Sequence, residues 1–277
     1  MTESWLQLVK ELSKVPSLIP EIYGDLLKPG VKQVGKALES IIGIGNTILW
    51  PFTLANERAR IALERNMEKY RAQIQDVPEE KIIHVAPEIG VPIAEKLTYV
   101  SDEQLSDLYI NLLSKASTID TAHFAHPSFV NIINNLSPDE AILLKELHNQ
   151  PRIPFVKATL AKKGTTHWSL IGDLLTGLET KVKLSFPDNV VAYMSNFEGL
   201  GLIDIHRESF MVGDGIYESL EKLYRPELDA MSFDKSTQEI KFIKGRIEVT
   251  TFGALFLDAC LTRLKDRKGL RDTSHIS

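Results

Sequence analysis

Residues 187–205 read "PDNVVAYMSNFEGLGLIDI", and residues 238–264 read "QEIKFIKGRIEVTTFGALFLDACLTRL". Together they decide the fold expected of the C-terminal half. Asp188 stands where a short carboxylate can accept from the open N–H groups of a first helical turn, so a helix is expected from there to Glu198. Gly199 or Gly201 ends it, and Leu202 to Ile205 reads as a short strand. In the second stretch Arg246 to Thr250 alternates like a strand, and a T-x-x-G step then leads into an apolar helix. Upstream, helices are expected over 139–149, 154–163 and 168–179. Helix, helix, helix, strand, strand, helix is the order of a winged helix. The expected fold class is therefore mainly α: a helical N-terminal region followed by a winged-helix-like α+β C-terminal domain.

Residues 57–75, "ERARIALERNMEKYRAQIQ", predict a helix with Ile61, Met67, Tyr70 and Ile74 facing inward and opposite charges interleaved on the solvated side. Pro78, Pro87 and Pro92 fit helix starts or turns. Ser101 is the expected N-cap of the next helix, with Asp102 and Glu103 at the positive end of its dipole and Leu105, Leu108, Leu112 and Leu113 on its buried face. Ser137, Pro138, Asp139 and Glu140 form another start signal. Ahead of all this, Trp5, Leu8, Val9 and Leu12 have helical spacing. Prolines 16, 20 and 29 then break the chain into short pieces, and a stripe of Val34, Leu38, Ile41 and Ile42 restarts a helix that Pro51 kinks. The domain organisation expected is 1–56, helical segments including an uncharged stretch; 57–136, a helical domain; and 137–277, the winged-helix-like domain.

That uncharged stretch is "SIIGIGNTILWPFTLAN", Ser40 to Asn56, in a chain that is 25% charged. A bilayer core is ~30 Å thick and takes about 20 helical residues, whereas these seventeen reach roughly 25 Å. Asn46 is polar and Pro51 weakens the backbone ladder, so a buried or self-associating helix is the first reading. Insertion into a membrane on a trigger is the second, because Arg58, Arg60 and Arg65 follow directly and suit an anionic flank. Ile41, Ile44, Ile48, Leu49, Trp50 and Phe52 are the residues that would make either contact.

The chain has 277 residues, a net charge of −5 and one cysteine, Cys260. The charge argues against a dedicated nucleic-acid binder, the lone cysteine suits a reducing compartment, and Glu3, Lys10 and Glu11 interrupt any signal-peptide core. A cytoplasmic location is expected, with contact at the inner membrane if residues 40–56 insert. A DNA-reading winged helix would set cations on its recognition helix, yet residues 187–205 hold Asp188, Glu198 and Asp204 and no lysine or arginine. A winged-helix DNA-binding regulator is therefore the second reading, and Lys181, Lys183, Lys241, Lys244 and Arg246, on the approaches and the wing, are the residues left to it for phosphate contacts; they equally fit as edge-strand cations.

No catalytic site is expected. His123 and His126 form an H-x-x-H pair without a zincin frame or a further ligand at the right spacing, and Cys260 sits in an apolar helix without an activating neighbour in sequence. No phosphate-binding glycine loop or nucleophile elbow occurs. No cofactor or small-molecule substrate is expected; a protein partner or a second copy of the chain is.

"IGIGNTILWPF", the charged helix, "PEEKIIHVAPEIGVPIAEKLTYVSDEQLSDLYINLLSKAS" and "AHPSFVNIINNLSPDEAILLKEL" together resemble the bacterial abortive infection alpha family. Pro87 and Pro92, the "SDEQLSDLYINLL" helix and "HPSFVNIINNLSPDEA" carry the resemblance, which covers about residues 40–150. It implies a part in anti-phage defence and brings no activity, substrate or cofactor with it.

Overall fold

The computed structural model describes residues 36–38 and 57–264. Residues 40–56, with Ile41, Ile44, Ile48, Leu49, Trp50 and Phe52, lie outside the described residues, as do the helices expected within 1–35. The described chain falls into two compact units, one of residues up to Pro138 together with those from Asp258, the other Asp139–Leu257.

The first unit is helical. Helix α1 (Glu57–Ile74) buries Ala59, Leu63, Met67, Tyr70 and Ile74, which recur every three or four residues along one face. Ile61 lies two residues off that stripe, about 200° round the helix from Ala59, and is 54% exposed, against the inward position expected of it. Helix α2 (Pro87–Leu97) begins on Pro87 but carries Pro92 in its interior, so only the first of these two prolines marks a helix start. Helix α3 (Glu103–Ala116) is capped by Asp102, whose carboxylate accepts from Leu105 N at 3.0 Å. Ser101, the expected cap, stands one residue too early to do this. Leu108, Leu112 and Leu113 are buried while Leu105 is half-buried. Helix α4 (Ser128–Asn134) adds Phe129, Val130, Ile132 and Ile133 to the core.

Buried polar groups in this unit serve helix ends. Asn66 Nδ2 donates to the Leu97 carbonyl at the end of α2 at 2.9 Å, and the Tyr70 hydroxyl meets Ser117 Oγ at 2.5 Å at the end of α3. Each satisfies a group that the helix ladder leaves open or holds the chain leaving it.

The second unit is mixed α+β. Helix α5 (Pro138–Asn149) opens it, with Asp139 and Glu140 in its first turn. Where two helices were expected, the chain forms two antiparallel strands, β1 (Arg152–Lys162) and β2 (Trp168–Leu175). The reason lies in β1. It is an inner strand of a sheet ordered β2-β1-β4-β3, and both its faces are covered over much of its length. Ile153, Phe155, Val156, Ala158, Thr159 and Ala161 are all buried, so the apolar positions lose the period of two and imitate a helical stripe.

A short helix α6 (Leu178–Lys181) and helix α7 (Val190–Gly199) follow, then β3 (Ile203–His206). Asp188 falls in a 3-10 turn, Pro187–Asn189, and Asn189 rather than Asp188 precedes α7 without a side-chain cap bond. Gly201 makes the turn into β3 with φ +73°, a left-handed angle that favours glycine. Helix α8 (Ile216–Asp229) packs against β1, β2 and β4 (Gln238–Val249), and α7 packs against β2 and β3. Helix α9 (Thr251–Leu261) is the last element among the described residues. The strand expected at 246–250 is the end of the longer β4. The helix–helix–helix–strand–strand–helix order of a winged helix is not followed, and the fold is α+β rather than mainly α.

Candidate interaction surface

The side chains most shifted in acidity or most deeply buried are engaged inside the units. In the first unit, Lys115 on α3 is fully buried. Its Nζ donates to the Ala259 carbonyl at 3.1 Å, to Thr262 Oγ1 at 3.0 Å and to the Thr262 carbonyl. Asn111, one turn earlier, donates to the Cys260 carbonyl at 2.7 Å and accepts from Gln73 Nε2 at 2.7 Å. The ammonium and amide thus meet the open carbonyls at the negative end of α9. Burial pushes the Cys260 thiol up, with Lys115 countering only in part, so the thiol stays protonated.

In the second unit, burial works to raise the Asp139 carboxyl, but the Ser185 and Phe186 N–H groups, each at 2.8 Å, and the Tyr193 hydroxyl at 3.1 Å hold it below the usual carboxylate range. Asn196 Nδ2 donates to Glu140 at 2.7 Å. These acids anchor the 185–186 turn and α7. Tyr217 donates to the Gly245 carbonyl at 2.9 Å, and Tyr224 accepts from Gly177 N at 2.7 Å and bonds Glu179, fixing α8 to its surroundings.

The five cations considered for phosphate do not form one surface. Alternation along β4 puts Lys244 and Arg246 on the α8 side and Lys241 on the other. Lys244 lies 5.1 Å from the Tyr217 ring and 3.7 Å from Glu218, Arg246 lies 3.5 Å from Glu248, and Lys241 lies 2.9 Å from Glu239. Lys181 ends α6, and Lys183 follows two residues later, both exposed. His123 sits in a 3-10 turn, and His126 Nδ1 accepts from Ser128 N at 3.2 Å; among the described residues no group of three or more metal-ligating side chains occurs.

The sheet face turned away from α8 carries a different arrangement. Register sets Thr159 between Leu170 and Lys241, Ala161 between Trp168 and Glu239, and Lys157 opposite Ile243. Thr159 and Ala161 are small and buried, while Trp168, Leu170 and Ile243 rise around them and are 56%, 49% and 43% exposed. Lys157 Nζ stands 4.7 Å from the centre of the Trp168 ring, a cation–π contact across Thr159. At the same end, Lys163 N donates to the Thr237 carbonyl at 2.9 Å and its Nζ to the Lys235 carbonyl at 2.7 Å. The β1–β2 turn and the turn before β4 are thereby held side by side. The sequence did not single out Trp168, Leu170, Ile243 or Lys157. A residue pattern "THWSL" with an indole on a short strand was its only signal, and pairing with β4 supplied the rest.

The sequence pattern of the abortive infection alpha family matches residues 59–260 of the chain. The chain belongs to the abortive infection alpha family. The match begins after "IGIGNTILWPF", so that part of the resemblance lies outside it, but it runs well past residue 150 and takes in parts of both units of this family member, from within α1 to within α9. No curated protein and no solved structure matches it. Among the described residues, no helix of this family member is long and apolar enough to cross a membrane.

Proposed function

We propose that this abortive infection alpha protein acts in bacterial anti-phage defence by contact rather than by catalysis, and that the contact surface is the sheet face around Trp168. Membership of the family supports the defence role. The exposed cluster of Trp168, Leu170 and Ile243 beside Lys157 and Lys241 carries the contact reading, since contiguous exposed apolar side chains with a polar rim mark interaction sites. The non-catalytic reading is supported by where the perturbed groups are spent: Asp139 holds backbone N–H groups, Lys115 holds helix carbonyls, and the Cys260 thiol is buried in its protonated form. In this proposal residues 40–56 provide a second, conditional contact that inserts into the inner membrane on infection.

The test is a phage-challenge plaque assay on cells carrying the wild-type chain or Trp168→Ser with Leu170→Ser. Loss of protection with an unchanged circular dichroism spectrum and melting curve is the expected result. Full protection from the double variant would rule the surface out. Ile44→Asp, assayed in parallel, should lower protection if insertion contributes, and unchanged protection removes that part of the proposal.

A further inference from the structure

We infer that the hairpin end of the sheet docks on an anionic lipid surface. The inference rests on the reading of the Trp168 face as a contact surface and names what it contacts. It is independent of residues 40–56.

Charge gives the first reason. The chain as a whole carries −5. Yet residues 157–170 and 233–243, which register brings together at this end of the sheet, hold Lys157, Lys162, Lys163, Lys235 and Lys241 against only Asp234 and Glu239. Five lysines less two carboxylates leaves a surplus of three positive charges on an otherwise acidic molecule. The two turns are bonded to each other through Lys163, so Lys162, Lys163 and Lys235 are gathered rather than dispersed. Glu239 is engaged by Lys241 at 2.9 Å, and Asp234 accepts from Ser236 and Thr237 within its own turn.

The apolar part gives the second. Trp168, Leu170 and Ile243 share one face with Lys157 and Lys241. An indole on a surface belongs at headgroup depth, and an aliphatic side chain gains by entering the acyl boundary. Single-stranded nucleic acid would also answer the lysines, but its bases need planar partners on which to stack. Two of the three exposed side chains here are aliphatic, and the indole already has the Lys157 ammonium over its ring. A lipid surface uses all three side chains and the lysines together. The contact is peripheral: the strands bearing it stay paired in the sheet.

Co-sedimentation of the full chain with vesicles tests this. Phosphatidylcholine vesicles containing phosphatidylglycerol should bind on the order of 100-fold more tightly than pure phosphatidylcholine, since each surplus lysine contributes about fivefold near an anionic surface. Binding should weaken steeply with added salt. Lys162→Glu with Lys235→Glu, both exposed positions, should cut binding at least about tenfold, and Trp168→Ser should do so with the lysines in place. Ile44→Asp should leave vesicle binding unchanged, separating this surface from residues 40–56. Equal binding to neutral and anionic vesicles overturns the inference. So does unchanged binding by the charge-reversed variant, or binding of a single-stranded oligonucleotide without binding of vesicles. Protection retained by variants that no longer bind vesicles overturns the functional reading and leaves lipid binding standing. Protection lost on Trp168→Ser in a chain that never bound vesicles overturns the lipid inference alone.

Discussion

Gly253 in α9 presses its backbone onto Leu202 ahead of β3: a Cβ built on Gly253 would stand 2.0 Å from the Leu202 carbonyl oxygen. The same carbonyl accepts from Thr250 N at 3.0 Å, and Thr250 Oγ1 accepts from Gly253 N at 2.8 Å, so neither backbone can retreat without breaking the helix start. Gly253→Ala should therefore destabilise the protein by about 3 kcal/mol, read as a lower urea midpoint. Gly199→Ala is the control. Nothing lies within 4 Å of a Cβ there and the residue is helical, so that variant should be neutral or stabilising by up to about 1 kcal/mol.

The Lys115 ammonium is buried against the end of α9. Lys115→Met keeps the stem and removes the charge, leaving the Ala259 and Thr262 carbonyls without that donor. A loss of about 3 kcal/mol in chemical denaturation is expected, with the mid-range of a buried polar deletion as the guide. A neutral result would mean that water enters and replaces the ammonium.

Asp139 sets a pH dependence. Its folded value lies below that of an unfolded carboxyl, because its hydrogen bonds outweigh burial. The ionised form is thus the stabilising one: its contribution is whole above the unfolded value of about 3.9 and is lost as the pH falls on through the lower folded value. Asp139→Asn should flatten this acid limb of stability and lower stability near neutrality by about 2 kcal/mol. Melting temperatures across an acid series for both proteins decide it.

Cys260 offers a prediction without a substitution. Its thiol is fully buried and its acidity is suppressed. A thiol reagent should label the native protein only on the timescale of opening and label it at once in denaturant. Rapid labelling of the folded chain would place Cys260 in a different environment.

How much of this the sequence disclosed depends on whether a signal was local. The short strand expected at 202–205, found at Ile203–His206, and the Thr250–Gly253 step into a helix were legible, because turn chemistry and capping act over a few residues; of Gly199 and Gly201, between which the sequence did not choose, Gly201 takes the left-handed angle. Strands β1 and β2 were not. Burial of β1 on both faces erased the alternation that separates strand from helix, and β2 bears exposed Trp168 and Leu170 where an expected core stripe would not. The cap at Asp102 rather than Ser101 was a choice between two adjacent good formers that only bond geometry could make. The Trp168 face was invisible for another reason. Leu170 and Lys241 become neighbours only through Thr159, and no linear pattern encodes a register between distant strands.

The grip of Gln73, Asn111 and Lys115 on residues 259–264 joins parts of the chain 144 to 191 positions apart. During synthesis α1 and α3 emerge long before the segment that those side chains hold. Until it arrives, a lysine destined for the interior must stay hydrated, and the first unit cannot reach its final packing. Completion of α1 and α3 is thus a late event, timed by the arrival of α9. A chain cut short before Asp258 would carry every residue of α1 to α4 and still fail to bury Lys115.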